Sequence, residues 1–384
     1  MYSHISIAVP MLAERDNLPM LLERLRQQSF HNFSLYCCVN NEEGGMGYEE
    51  NQECLRLLQS VNDLHVTIID KSSPGCGWMG KKKGVGWARK LLFERILEEH
   101  DDNEIVVSLD ADTDFDTDYL AAVLDTMNTC SNHSAFSVPY YHPLSGNEPL
   151  DRPMLRYECY MRHYLIHLLR IANPYAFTAL GSAIVFPLWA YRRVGGITPL
   201  QGGEDFYLLQ KFAKTGQIIN NFCPPYDSQN KTVRPQGRVS FRVPFGTGPA
   251  ISKGVENMED SYPFYSEQGF ADIKATFDTF PQLYHADTDT PMSAFLRQQL
   301  ATDDLWGPLR KNFKTESLFV HACTERVDGL RILQYLKNNP AFRLSPTEMP
   351  VNFLTDPVPC LNAYRNQLFA EEMTLRTENL NFQQ

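Results

Sequence analysis

The sequence predicts an α/β protein, with a mostly parallel sheet flanked by helices and a mainly helical C-terminal extension. Over roughly the first 250 residues, short apolar runs alternate with stretches in which apolar residues recur at helical spacing. This alternation is typical of a parallel sheet with helices on both faces. From about residue 251 the alternation is lost and long helical patterns dominate. We therefore divide the chain into an α/β domain over residues 1–250 and a helical extension over residues 251–384.

The same patterns give the order of the elements. Residues 105–109 are apolar at almost every position, which is typical of a strand buried on both faces. Leu18, Leu21, Leu22 and Leu25 recur at the spacing of one helix face, and this spacing returns after later strands. The predicted strands are 5–10, 33–39, 65–70, 105–109 and 135–140. The predicted helices are 18–25, 52–58, 87–99, 119–127, 155–171, 204–216, 318–337 and 359–376.

Composition and charge narrow the classes of function. The formal net charge of −11 argues against nucleic acid or an anionic membrane surface as the main partner. The opening MYSHISIAVP has no basic segment before a long apolar run, so we predict a first strand there and not a signal peptide. The nine cysteines include no C-x-x-C pair, which indicates reduced thiols and a cytoplasmic location. Gly181, Ser182 and Pro187 interrupt the apolar segment 175–191, so we expect no transmembrane segment and leave peripheral membrane contact open.

Two carboxylates follow the apolar strand at 105–109 directly. Asp110 and Asp112 lie where this strand ends, and ligands of open α/β sheets bind at the carboxyl ends of the strands. Two carboxylates one residue apart suit a hard divalent cation, which prefers oxygen ligands and accepts diphosphate oxygens as the others. The alternative is a solvated acidic turn that caps the next helix.

A second acidic pair follows a glycine-rich loop. Glu204 and Asp205 stand in the stretch GGED, at the predicted start of a helix that Gly216 ends. Carboxylates at this position either act on a ligand or simply cap the helix N-terminus.

The order of these motifs resembles the family 2 glycosyltransferases, which have the GT-A fold. Four stretches carry the resemblance: AVPMLAERDNL, the loop after the second strand, the helix start GVGWARK, and DAD followed by GGED. They span about residues 4–225. The resemblance implies an enzyme that transfers a sugar from a nucleoside diphosphate sugar to an acceptor hydroxyl, with inversion at the anomeric carbon. It also implies a divalent metal, Mn²⁺ or Mg²⁺, as cofactor.

This resemblance gives roles to the two acidic pairs. Asp112 would hold the metal, with Asp110 near the ribose or the metal, and the metal would stabilise the charge on the departing diphosphate. Asp205 would be the general base for the acceptor hydroxyl, a role that contributes roughly a hundredfold to ten-thousandfold. Glu204 would orient Asp205 or contact the acceptor.

The resemblance also points to a nucleotide site. Pro10 and Glu14 match family positions beside the base and ribose, with a surface turn as the alternative for Glu14. Asn40 stands where the family usually has Asp, so donors of the UDP and GDP types both stay open. Arg89 matches an Ala-Arg dipeptide that approaches the base or a phosphate, and Lys83 precedes it. A solvated charge run is the alternative for Lys83 and its two lysine neighbours.

Two further stretches are candidates for the pocket wall. Gly181 and Ser182 would line the sugar and acceptor pocket, with buried core as the alternative. Arg238 and Arg242 lie in GRVSFRVPFGTGPA, whose glycine-rich turn is typical of a loop that closes over a diphosphate, or of a structural turn. We include Arg242 in the predicted pocket. The expected acceptor is a glycan or a glycolipid.

Two other classes of function stay open as alternatives. A catalytically inactive GT-A module would bind a sugar nucleotide or a protein partner without turnover. A P-loop NTPase would use Gly75, Gly80 and Lys81 as a phosphate loop, but Lys82 stands where a Ser or Thr hydroxyl should bind magnesium. We therefore predict a glycosyltransferase with a nucleoside diphosphate sugar as donor and no nucleic acid partner.

Overall fold

The structure, a computed structural model, describes residues 1–223, 231–239 and 246–383, with the backbone alone described for 380–383. Strands and helices alternate up to residue 219, and helices dominate from residue 247. The strands are β1 (Ile5–Met11), β2 (Phe33–Asn40), β3 (Val66–Lys71), β4 (Ile105–Ser108), β5 (Thr113–Asp114), β6 (Ala135–Ser137), β7 (Ile184–Pro187), β8 (Ile218–Ile219) and β9 (Arg234–Pro235).

The helices extend most of the predicted spans by a few residues. They are α1 (Leu18–Arg26), α2 (Tyr48–Ser60), α3 (Val85–Glu99), α4 (Tyr119–Thr129), α5 (Glu148–Arg170), α6 (Leu188–Arg193), α7 (Glu204–Thr215), α8 (Thr247–Lys253), α9 (Glu267–Asp278), α10 (Phe280–His285), α11 (Ser293–Leu300), α12 (Gly307–Asn312), α13 (Glu316–Arg326), α14 (Gly329–Asn338) and α15 (Val358–Gln383).

Seven strands form one sheet in the order β3-β2-β1-β4-β7-β6-β8. β1 pairs in parallel with both β2 and β4, so the carboxyl ends of these three strands lie at the same edge. β7 is antiparallel to its neighbours β4 and β6. The strand order changes direction beside β1, which puts the switch point of the sheet between β1 and β4. The prediction of a mostly parallel sheet is confirmed.

Alternate residues of the central strands face opposite layers of helices, as the pleat of a strand requires. Val106 packs into a core with α3, α5, α7 and helices of the C-terminal region. Ile105 and Val107 pack into a second core with α1, α2 and α4. Helices therefore cover both faces of the sheet, as the sequence predicts.

The C-terminal region is helical, as predicted, and α15 lies along α5. Arg162 of α5 donates to the carboxylate of Glu372 on α15, and both side chains are fully buried. Arg365 of α15 donates to the carbonyl oxygen of His142 at 2.6 Å. A buried charge needs partners of this kind, because it loses its hydration. These contacts fasten α15 to the α/β part, while a domain boundary at residue 250 stays a prediction.

One helix prediction in this region is wrong in detail. The predicted helix over residues 318–337 is divided into α13 and α14. The division lies at Asp328, whose carboxylate accepts a hydrogen bond from the backbone N–H of Arg331 at 3.2 Å and so caps the start of α14. Within the described part of the chain, no helix combines the length and the apolar character needed to cross a lipid bilayer.

Candidate active site

A cavity of about 240 Å³ opens at the carboxyl edge of the sheet, beside the switch point between β1 and β4. Its wall contains residues from the ends of β1, β2 and β4, from the stretch before β7, and from the starts of α7 and α8. The predicted site residues that line it are Pro10, Glu14, Asn40, Arg89, Asp110, Asp112, Gly181, Ser182, Glu204 and Asp205.

Two predicted site residues are not part of this described wall. Lys83 does not line the cavity, and its ammonium group lies 2.9 Å from a carboxylate oxygen of Glu42. Arg242 lies outside the described residues.

Strand direction explains why distant stretches of the sequence meet here. Asp110 and Asp112 follow β4, whose carboxyl end lies at this edge. Gly181 and Ser182 precede β7, and because β7 runs antiparallel to β4, its amino end lies at the same edge. Ser182 is fully buried, and its hydroxyl has no hydrogen-bond partner among the described residues. Residues 181–187 therefore combine both predicted alternatives, a pocket wall and buried core.

Arg89 of α3 joins the two acidic pairs. One guanidinium nitrogen donates to Asp110 at 2.6 Å and another donates to Glu204. A Cβ atom at Gly181 would lie 2.1 Å from this guanidinium, so any larger residue there would displace the end of Arg89 from its carboxylate partners. The resemblance implied that Arg89 approaches the base or a phosphate. In the structure, its guanidinium donates to the carboxylates of Asp110 and Glu204. A buried guanidinium requires such partners.

Burial and this ion pair act in opposite directions on the carboxylates. Burial raises the pKa of Glu204, and Arg89 only partly offsets the effect. Burial likewise raises the pKa of Asp205, again against the opposing charge of Arg89. Burial opposes the charge of Arg89 itself, but Asp110 and Glu204 keep its pKa above the ordinary value. Arg89 therefore stays cationic, and Asp205 is a stronger proton acceptor than an exposed aspartate.

Arg238 lies beside the other predicted metal ligand. Its guanidinium contacts the carboxylate of Asp112 at 2.8 Å and also donates to Glu14. Glu14 is buried and accepts a second hydrogen bond from the side chain of Asn17 at 2.7 Å. The surface-turn alternative for Glu14 is therefore wrong, because its carboxylate faces the cavity. The sequence drew attention to Arg238 but did not indicate these partners.

Asn40 is held rigidly at the end of β2. Its side-chain amide donates to the carbonyl oxygen of Met11 at 2.8 Å, and its oxygen accepts from the indole N–H of Trp78 at 2.9 Å. Trp78 comes from the loop between β3 and α3, and nothing in the sequence pattern pairs it with Asn40. The indole of Trp78 orients the amide oxygen of Asn40. A nucleotide base that contacts this oxygen would therefore share it with the indole N–H.

Carboxylates outnumber cationic groups around the cavity. Among the described lining residues, the acidic ones are Glu14, Asp110, Asp112, Glu204 and Asp205, and the basic ones are Arg89 and Arg238. A diphosphate would meet an excess of negative charge, so a cation is needed to hold it here. The oxygen donors of the two aspartates after β4 are the type that Mg²⁺ and Mn²⁺ prefer. The residues present therefore fit a hard divalent cation.

No protein-family model matches the sequence, and a comparison with curated proteins found no match either. Among solved structures, similar chains include the mannosyltransferase PcManGT from Pyrobaculum calidifontis in complex with GDP-Man and Mn²⁺, with 16% identity and a TM-score of 0.38, over 85% of this chain and 88% of that chain. Another is TarS from S. aureus, with 12% identity and a TM-score of 0.42, over 85% of this chain and 55% of that chain. Because both similarities are weak, the activity of this chain is inferred from the residues of its own cavity.

Proposed function

We propose that this chain is a metal-dependent, inverting glycosyltransferase. It would move a sugar from a nucleoside diphosphate sugar of the UDP or GDP type to a hydroxyl group of a glycan or glycolipid. One observation carries the proposal: a single cavity at the switch point of the sheet is lined by Asp110, Asp112 and Asp205, and Arg89 bridges Asp110 to Glu204, the neighbour of Asp205. The motif order, DAD followed by GGED, agrees with this reading.

The chemistry needs two kinds of group, and the cavity wall offers both. The acceptor oxygen forms a bond to the anomeric carbon while the bond from that carbon to the diphosphate breaks, and the electron pair stays on the diphosphate. A divalent cation bound by Asp112 and Asp110 would stabilise that negative charge. Without a cation, the carboxylates around the cavity would repel the leaving group.

Asp205 is the residue that we propose as general base. It lines the cavity at the first turn of α7, and its Oδ1 accepts a hydrogen bond from the backbone N–H of Phe206 at 2.8 Å. Burial raises its pKa, which brings its basicity closer to that needed to take a proton from a hydroxyl. Glu204 is 2% exposed and bound to Arg89, so we assign it a positioning role.

The test is thermal stabilisation of the purified protein by UDP, GDP, CDP, TDP and ATP, each with and without Mn²⁺. A ligand at a hundred times its dissociation constant adds about 2.7 kcal/mol. We expect one nucleoside diphosphate to stabilise the wild type only when Mn²⁺ is present. Asp112→Ala should not show this stabilisation with Mn²⁺. Stabilisation by ATP alone, or equal stabilisation of wild type and Asp112→Ala, would contradict the proposal.

Turnover separates an enzyme from an inactive binding module. The nucleotide found in the binding test identifies the donor class, and release of that nucleotide from its sugar conjugates is then measured over a set of glycan acceptors. We expect release that depends on acceptor and metal, and a product of inverted anomeric configuration by NMR. A protein that binds donor and metal but never releases nucleotide would be the inactive module.

A further inference from the structure

Two histidines and a glutamate meet at the opposite edge of the sheet from the candidate active site. His4 directly precedes β1, His100 directly follows α3, and Glu104 directly precedes β4. They therefore lie at the amino ends of the two central strands, and the carboxyl ends of the same strands border the active-site cavity. The glycosyltransferase proposal gives this cluster no role.

The ligand atoms of the three side chains all lie within 4.8 Å of one another, and His4 Nδ1 and Glu104 would separate from hydrogen-bond distance to share one ion. Nδ1 of His4 lies 2.7 Å from one carboxylate oxygen of Glu104, and Nδ1 of His100 lies 3.4 Å from the other. Two ligands bound at about 2.0–2.1 Å to a tetrahedral ion are roughly 3.3 Å apart. Among the described residues, this is the one group of three or more His, Cys, Asp or Glu side chains whose ligand atoms all lie within 4.8 Å of one another.

The outer nitrogen of each imidazole is already held. Nε2 of His4 lies 3.2 Å from the hydroxyl of Ser34, and Nε2 of His100 lies 2.9 Å from the hydroxyl of Tyr36. Histidines that bind metals usually carry such a second hydrogen bond, which fixes the tautomer and the ring orientation. The two rings are stacked, with centroids 5.3 Å apart. Both Nδ1 atoms are therefore oriented toward the same carboxylate.

The hydrogen bonds of Tyr36 direct the Nδ1 lone pair of His100 toward Glu104. Its hydroxyl donates its only proton to Glu99 at 2.8 Å, so its oxygen is left to accept the N–H of His100 Nε2. In neutral His100, the lone pair is then on Nδ1 and faces the acceptor oxygen of Glu104. A metal ion placed here would bind both the Nδ1 lone pair and the carboxylate oxygen.

The cluster is open to solvent and carries negative charge. The side chains of His4 and His100 are 24% and 23% exposed, while that of Glu104 is 5% exposed. A surface cavity touches all three, and Glu99 and Asp101 also line it. Ser6 donates to Glu104 at 2.6 Å and holds the carboxylate in place. A dissolved cation can therefore reach a preformed set of ligands.

We propose that His4, His100 and Glu104 form a second metal site, separate from the candidate active site. Two imidazole nitrogens and one carboxylate oxygen favour Zn²⁺ and related transition metals over Mn²⁺ or Mg²⁺. Water would complete the coordination on the exposed side. The ion would link the amino ends of β1 and β4 to the end of α3, and so brace the central strands on which the active-site carboxylates depend.

The test is calorimetric titration of ZnCl₂ into full-length protein stripped with EDTA. We expect one Zn²⁺ per chain at this site, and an affinity at least about a hundredfold lower in His100→Ala and in His4→Ala, since loss of even a supporting hydrogen bond costs about ten- to a hundredfold. Tyr36→Phe should cost about tenfold for the same reason. His321→Ala, which removes an exposed histidine near Glu325, is the matched control and should bind as the wild type does.

Two further measurements test the metal site in another way. A spectrum of the wild type does not depend on the folding of any variant, and Asp112→Ala separates this site from the candidate active site. Cu²⁺ bound to the wild type should give an electron paramagnetic resonance spectrum with coupling to two nitrogens. Asp112→Ala should retain the Zn²⁺ site. The proposal is overturned if the wild type binds no Zn²⁺, if binding persists in both histidine variants, if Asp112→Ala abolishes it, or if the copper spectrum lacks two-nitrogen coupling.

Discussion

Replacing Arg89 by methionine should destabilise the protein in a way that depends on pH. Arg89 is 6% exposed and neutralises Glu204, which is 2% exposed, so removal leaves a buried carboxylate without its partner. Loss of one partner from a buried pair costs about 3–5 kcal/mol. The contact with Asp110 adds at most about 1 kcal/mol, because that carboxylate is 38% exposed and solvent screens it.

The pH dependence follows from the carboxylate that remains. Burial already raises the pKa of Glu204 above its ordinary value of 4.5, and loss of Arg89 raises it further. Between the ordinary and the raised pKa, the folded variant binds a proton that the unfolded chain does not bind. The free energy of unfolding of the variant therefore falls as pH rises through this window. The difference in the free energy of unfolding between wild type and variant should be largest near pH 8 and smaller at pH 5.

Urea unfolding of both proteins at pH 5, 6.5 and 8 measures this difference. Arg24→Met is the control, since Arg24 and Asp114 form a partly exposed pair at 2.6 Å whose loss should cost no more than about 1 kcal/mol at any of these pH values. The double variant Arg89→Met with Glu204→Gln should recover part of the loss, because the buried charge is gone. A deficit below about 1 kcal/mol, or one that is the same at pH 5 and pH 8, would refute the reasoning.

Three further predictions concern the active site and the C-terminal helix. Asp205→Asn should lower the rate of sugar transfer by roughly a hundredfold to ten-thousandfold, while its affinity for the nucleotide with Mn²⁺ stays unchanged. If the variant turns over at the wild-type rate, Asp205 is not the general base. Arg238→Ala should tighten Mn²⁺ binding to the nucleotide-free protein in a calorimetric titration, because the guanidinium 2.8 Å from Asp112 no longer competes; weaker binding would contradict this. Arg365→Met should lower the free energy of unfolding by about 3 kcal/mol, because the pair that Arg365 forms with Glu158 is buried. Arg170→Met removes an exposed pair between the same two helices, α5 and α15, and should change the free energy of unfolding by less than about 1 kcal/mol. Equal effects of the two substitutions would show that burial is not the cause.

The sequence predicted most of the fold because the patterns involved are local. Apolar runs of five or six residues and helical spacing can be recognised without knowledge of distant contacts, and they located four strands, β1, β2, β3 and β4, nearly to the residue. The direction of β7 was not predictable in this way. Its residues, Ile184–Pro187, are as apolar as a parallel strand, and only pairing with β4 shows that the strand runs in the opposite direction.

The site was predicted in composition but not in its contacts. Residues at strand ends, such as Asp110 and Asn40, follow from topology, since carboxyl ends of parallel strands meet at one edge. The partners of Arg89 and Arg238 do not follow, because ion pairs across 115 and 224 positions depend on how helices pack. Lys83 is the opposite case: a lysine run beside a glycine-rich loop suggests phosphate or a solvated charge run, and in the folded chain Lys83 pairs with Glu42 and does not line the cavity.

The close approach of Gly181 to Arg89 makes two positions that are far apart in the sequence depend on each other. A side chain at residue 181 and a guanidinium at residue 89 cannot occupy the same space, since a Cβ atom would lie 2.1 Å from Nη2. Homologues should therefore change the two positions together: where Gly181 is replaced, Arg89 should be a smaller residue, and the charge balance around Glu204 should be restored elsewhere. This linked pair offers a signature for recognising distant relatives that share the arrangement of the site but little overall sequence.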